Sequence, residues 1–166
     1  MALELATAAD IPAIMAIERL PGYDIFIGAF EADEHAAHMA STDARYLVWR
    51  EDGRVLAFAI LMKLDNPHGV VLIKRLGAAK PDTGLGRRLL PALMDHAFET
   101  TGCNRLELDV SEENPRATHV YRREGFKQEG TVREVFRHPD RYVSSHLFSM
   151  LRREWEALPR RRSSAT

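Results

Sequence analysis

The stretch that most constrains the fold is a β-rich run that ends in a glycine turn and continues as a helical pattern. Val70, Val71, Leu72, Ile73 and Leu76 make the run, Gly84-Leu85-Gly86 the turn, and Leu85, Leu89, Leu93 and Ala97 recur with helical spacing. A strand, a glycine turn and a helix start together suit an anion. Glycine lets the backbone come close to a ligand, and the unpaired N–H groups of the first helical turn point at it with the helix dipole behind them. Phosphate is the usual guest; a plain turn before a helix is the alternative. Two well-known phosphate patterns are excluded. The P-loop needs Lys-Ser/Thr after its last glycine, where Arg87 and Arg88 stand, and the dinucleotide fingerprint needs a third small residue where Leu89 stands.

With 166 residues, 45% of them hydrophobic and 28% charged, the chain is sized for one domain with one core. We place that domain at residues 1–158 and expect a basic, flexible tail at 159–166, where Arg160, Arg161 and Arg162 crowd together as a solvated charge run. A net charge of −1 supplies no basic field for nucleic acid. Cys103 is the lone cysteine, so no disulfide forms within the chain and a reducing cytoplasm is expected. No apolar run reaches membrane-spanning length, and the start of the chain is too acidic for a signal peptide.

The elements come in a simple order. A short strand at 2–6 leads to a helix over 8–19, where Thr7 and Asp10 form a capping pair and Pro12 sits in the first turns. A second helix spans 31–40. His35 and His38 stand three apart on it and read as solvent-facing, since nothing is spaced to complete a metal site with them. Strands at 45–50 and 55–64 flank Asp52-Gly53, a strong hairpin signal, and a third strand runs over 70–77. The main helix covers 84–100 despite Pro91, which predicts a kink or irregular turn near 87–91. A strand at 105–110 alternates Leu106, Leu108 and Val110 against Glu107 and Asp109. Asn114-Pro115 then opens a helix to 123, and two strands at 127–136 and 141–152 close the chain. The order predicts an α/β (α+β) domain with a mixed sheet.

Four features in sequence order resemble the GCN5-related N-acetyltransferase (GNAT) superfamily. They are the strand, Gly84-x-Gly86 and long helix; the strand Leu106-Glu107-Leu108-Asp109-Val110; Asn114; and Tyr121-Arg122-Arg123-Glu124-Gly125-Phe126, similar to the family's Tyr-x-x-x-Gly-Phe segment. They cover residues 70–126. The closing Phe148-Ser149-Met150-Leu151-Arg152-Arg153-Glu154-Trp155 looks like the ribosomal-protein N-acetyltransferase branch. One departure is Pro81, where the family carries Gln or Arg.

The resemblance implies a mostly antiparallel central sheet with helices on both faces, and acetyl-CoA as cosubstrate. By it, Lys74, Arg75 and Leu76 pair with the pantetheine arm. Asp82, Thr83, Gly84, Leu85, Gly86 and Arg87 cradle the pyrophosphate, and Asn114 holds the arm. The Leu76 N–H would polarise the thioester carbonyl, and Tyr121 would protonate the leaving thiolate, against an unperturbed pKa mismatch of roughly 2 kcal/mol. Asp109 is the candidate base, with Glu107 on the same strand face. Either carboxylate could instead pair with arginines, and deprotonation through water is the other route. Phe26, Phe30 and Glu31 would border the acceptor. The expected activity is direct acetyl transfer, without an acyl-enzyme and without a metal, to the primary amine of a small molecule, peptide or protein. The alternatives are a different acyl group or a non-catalytic acyl-CoA sensor. The resemblance leaves a homodimer open.

Overall fold

The computed structural model describes residues 2–80 and 83–162. Seven strands form one sheet in the order β1-β2-β3-β4-β5-β7-β6. They are β1 (Ala2–Leu5), β2 (Arg45–Glu51), β3 (Arg54–Met62), β4 (Val70–Ala78), β5 (Arg105–Ser111), β6 (Lys127–Arg137) and β7 (Tyr142–Leu151). Every neighbouring pair is antiparallel except β4–β5. That exception comes from the connection, because the helix α3 (Leu85–Thr100) carries the chain back across one face of the sheet before β5 begins.

The two faces have separate cores. On one, α1 (Ile11–Glu18) sets Ile14 and Ile17 against Tyr46, Val48, Phe58 and Ile60, with α2 (Ala32–Ala40) beside it. A 3-10 turn, Ala8–Asp10, precedes α1, and the Thr7–Asp10 capping box closes as the sequence predicts, with Thr7 N–H donating to Asp10 at 2.8 Å. On the other face, α3 sets Leu90, Leu93, Met94, Ala97 and Phe98 on Leu47, Leu61, Ile73, Leu106 and Phe148. This burial explains how α3 runs through Pro91 without a break. Seven of its side chains are buried. A fully buried Leu or Phe contributes about 1.5–3 kcal/mol, against about 3 kcal/mol for one internal proline.

The C-terminal boundary differs from expectation. After α4 (Pro115–Arg123) and the last two strands come α5 (Arg152–Glu156) and α6 (Pro159–Arg162). Arg160 pairs with Asp95 of α3 at 2.7 Å, and Trp155 donates to the same carboxylate while stacking on Phe98. Arg152 donates to the carbonyls of Phe98 and Cys103 at the end of α3. Arg160, expected to lie in a free tail, is therefore docked. The last four residues, 163–166, lie outside the described ones. Asp95 and the two carbonyls are acceptors far away in sequence, so the arginine run alone could not reveal them.

Candidate functional site

β4 and β5 pair only over Val70–Leu72 against Arg105–Glu107. Beyond that they part: the rest of β4 stays with β3, and the rest of β5 stays with β7. The sheet thus has an opening with a free backbone edge on each side. β4 enters it through a bulge, since Ile60 faces Arg75 while Leu61 faces Ile73, leaving Lys74 extra. The bulge changes which face the side chains take. Val71 and Ile73 point into the α3 core, whereas Arg75 is buried against Glu18 of α1 and Phe30, and Lys74 is exposed.

Hydrogen-bond parity decides which β4 groups face the opening. Ala79 N–H bonds the Leu56 carbonyl on β3. Alternation in an antiparallel pair then turns the N–H and C=O of Ala78 away from β3, and those of Leu76 likewise. The Ala78 groups are engaged by the hydroxyl of Tyr23, which donates to the carbonyl at 2.6 Å and stands 3.3 Å from the N–H. The Leu76 N–H is thus turned away from β3, toward the opening.

The glycine turn lies at the end of β4. Gly84 caps α3 with φ +76°, the left-handed region that suits glycine, and Arg87 N–H bonds back to its carbonyl at 3.1 Å. Leu85 is buried and pins the turn, while Thr83, Gly86 and Arg87 are exposed. Thr83 is partly committed, since its hydroxyl donates to the Lys80 carbonyl. Pro81 and Asp82 lie outside the described residues. A cleft of about 210 Å³, lined by Arg87, Arg123 and Glu124, joins the first turn of α3 to the last turn of α4. These groups could hold a phosphorylated cosubstrate.

Across the opening, Asn114 caps α4, its side-chain oxygen accepting from Ala117 N–H at 3.1 Å. Its amide NH2 is the half of the side chain left to serve a ligand. Tyr121 projects from α4, half-buried, with its ring edge-on to Phe126 at 5.9 Å and near Phe148. Burial, with the Asp109 carboxylate adding to it, pushes its phenol up to about 12. Asp109 is exposed and accepts from Ser145 Oγ at 3.2 Å. Glu107 has other partners. Burial works to raise its pKa, but Lys63 at 2.7 Å and Arg105 at 3.0 Å outweigh that and leave it lowered. It is thus a structural ion pair and a poor base.

The expected acceptor border is brought together only in part. Phe26 is exposed. Phe30 carries the Arg75 guanidinium 3.6 Å above its ring. Glu31 caps α2 and pairs with Arg19 at 3.1 Å. The Arg75 side chain is not free for a cofactor either, because it bonds Glu18 at 2.8 Å. His35 requires correction. Far from facing solvent, it is 0% exposed, with Nδ1 2.8 Å from the Tyr46 hydroxyl and Nε2 2.9 Å from Glu18. Sequence reasoning also missed Glu18, Tyr23 and Tyr46. No local signal marks them, since the partners that hold them in the interior lie 11 to 57 residues away. Among the described residues no group of His, Cys, Asp and Glu is placed to hold a metal ion.

Cys103 is buried, and that burial pushes its thiol up to about 11. Iodoacetamide at neutral pH is therefore expected to leave it unmodified in the folded chain, as intact mass would report. Rapid alkylation would contradict its burial.

Comparison with known proteins gives matches of three kinds. The model of the acetyltransferase (GNAT) family matches residues 12–126. A probable spermine N(1)-acetyltransferase of Bacillus subtilis subsp. natto is 37% identical over 70 residues, 41% of this chain and 46% of that protein. The spermidine N(1)-acetyltransferase of Escherichia coli is 26% identical over 115 residues, 69% of this chain and 61% of that protein. The chain thus spans about half the length of the Bacillus relative it matches. Among solved structures, a spermidine N-acetyltransferase from Vibrio cholerae in complex with CoA and spermine superposes with a TM-score of 0.83 at 20% identity, over 93% of this chain and 96% of that one. A second, described as a complex with manganese ions, superposes at 0.80.

Proposed function

Because the chain belongs to the acetyltransferase (GNAT) family, we propose that it moves an acetyl group from acetyl-CoA to a primary amine by direct attack in a ternary complex. The observation that carries this reading is the opening between β4 and β5. It has the Leu76 N–H on one side and Tyr121 on the other, and β4 ends at a glycine turn suited to phosphate. In the proposed complex the pyrophosphate sits at Thr83–Arg87, with Asp82 as the further expected contact, and the arm runs along Lys74–Leu76 toward Asn114. The amine attacks the thioester carbonyl, and the oxyanion that forms is stabilised by the Leu76 N–H. Collapse breaks the C–S bond and releases CoA. A phenol near 12 loses its proton to an ordinary thiolate at roughly 5 kcal/mol. Tyr121 is therefore proposed to donate a hydrogen bond to the departing sulfur, with the proton following as charge develops. Asp109, exposed beside it, receives the ammonium proton directly or through water.

Polyamines are the acceptor class we propose, supported by the spermine and spermidine acetyltransferases among the relatives. The test is CoA-thiol release from acetyl-CoA in the presence of spermine, spermidine, peptides and amino acids. Release with a polyamine is expected, and no release with any amine would overturn acetyl transfer. Calorimetry should show CoA binding without ATP binding. Gly84→Ala places a side chain in a left-handed turn at about 1–2 kcal/mol. Relaxation of that turn is expected to weaken CoA binding roughly tenfold, measured by the same calorimetry.

A further inference from the structure

Beside the opening lies a buried polar cluster that the proposed chemistry does not use. Glu18, the last residue of α1, has a side chain that is 0% exposed. One carboxylate oxygen takes Arg75 Nη1 at 2.8 Å; the other takes His35 Nε2 at 2.9 Å, the Phe30 N–H at 3.4 Å and the half-exposed Arg19 Nη1 at 3.5 Å. A carboxylate only accepts and a hydroxyl can do either, so the tautomer protonated on Nε2 satisfies both His35 contacts, with Tyr46 donating to Nδ1. Three elements, α1, α2 and β4, thus meet on one carboxylate, and β2 joins through Tyr46 on His35.

The cluster also clamps residues 19–31, the connection between α1 and α2. Arg75 is held between Phe30, whose ring lies 3.6 Å from its guanidinium carbon, and Gly28, where an added Cβ would stand 2.7 Å from Nη2. Three residues along β4, Tyr23 of the same connection bonds the free edge at Ala78. The two fastenings bracket Leu76. Stability alone does not explain the pair, because buried ion pairs are often replaceable by apolar side chains without loss. Among the described residues, Arg75 Nε is moreover buried without a hydrogen-bond partner.

We propose that Glu18 and Arg75 are a positioning pair for the transfer, seating residues 19–31 against β4 so that the acceptor amine meets the carbonyl held at Leu76. This rests on the acetyl-transfer reading above and names the residues that orient its acceptor side. Neither side chain touches the reacting atoms. Their influence passes through the backbone of β4 and through the connection.

The test is the double variant Glu18→Gln/Arg75→Met. It removes both charges together and keeps an oxygen for the His35 N–H, so the fold is expected to survive. Amide exchange in the free protein is expected to quicken about tenfold or more in 20–30 and 75–79 and to stay unchanged in α3. With spermidine as acceptor, kcat/KM is expected to fall about 100-fold, the scale of a small misplacement of reactants. Arg75→Lys keeps the charge but loses the flat face on Phe30, and covers the case in which the double variant does not fold. It should shift the same readouts in the same direction, less far. A folded variant with wild-type exchange in both segments overturns the proposal, and so does one with quickened exchange but undiminished kcat/KM. If the wild type binds CoA yet acetylates no amine, the transfer reading itself has failed and the exchange measurement alone decides whether the pair fastens the connection.

Discussion

Tyr121→Phe is expected to lower kcat by about 100-fold or more, the usual range for losing a positioned acid, with CoA affinity unchanged. The substitution removes one oxygen and leaves the ring against Phe126 and Phe148, so the fold should hold. The raised phenol sets the sign of the pH dependence. Tyr121 acts in its protonated form, which is fully present below the ordinary pKa of a tyrosine and is lost only as pH rises through about 12. A kcat profile set by Tyr121 therefore stays flat on the alkaline side up to pH 10. A fall in kcat centred near pH 8 to 9 that disappears in Tyr121→Phe would mean that the phenol titrates lower, and so serves as a stronger acid than burial allows. Unchanged kcat in the variant would remove Tyr121 from the reaction.

The second large effect is on stability. Glu18→Ala is expected to destabilise the fold by about 3–5 kcal/mol, the scale of leaving a buried charge without its partner. For a chain of this size that lowers Tm by roughly 10 °C. Arg75, only 7% exposed, would lose its anion, and His35 and the Phe30 N–H would lose their acceptor. Glu107→Ala makes the control. Its partner Lys63 is 46% exposed, so water replaces much of what is lost and the change should stay near 1 kcal/mol or less. Thermal melts of both variants, monitored by circular dichroism, give the comparison. Equal shifts would show that burial of the Glu18 cluster does not decide its energetics.

The element order was legible because its signals are local. Asp52-Gly53 turned the β2–β3 hairpin, Asn114-Pro115 opened α4, and the Thr7–Asp10 box opened the first helical segment, each with its partner within a few residues. The glycine turn was legible for the same reason, since Gly84, Leu85 and the α3 stripe are contiguous. Burial of Leu106 and Leu108 against the outward Asp109 came from simple alternation. Where a rule failed, a distant partner had intervened. Arg75 left the face of Ile73 because of a bulge set by pairing with β3. His35 turned inward because Glu18 and Tyr46 waited there. Arg160 docked on Asp95, 65 residues earlier.

The sequence by itself determined the strand, glycine turn and helix, the family, and the identity of Tyr121 and Asp109 as the groups to examine. The strand, turn and helix follow because backbone φ, helix capping and side-chain period are properties of neighbouring residues, and the family, Tyr121 and Asp109 follow from the resemblance of residues 70–126 to the GNAT superfamily. Only the tertiary structure decided which way the Leu76 N–H points, how Asp109 perturbs Tyr121, and that Glu18, His35, Tyr46 and Arg75 converge. Those depend on strand register and on where β4 parts from β5, and register is set by contacts across the sheet that no local window contains.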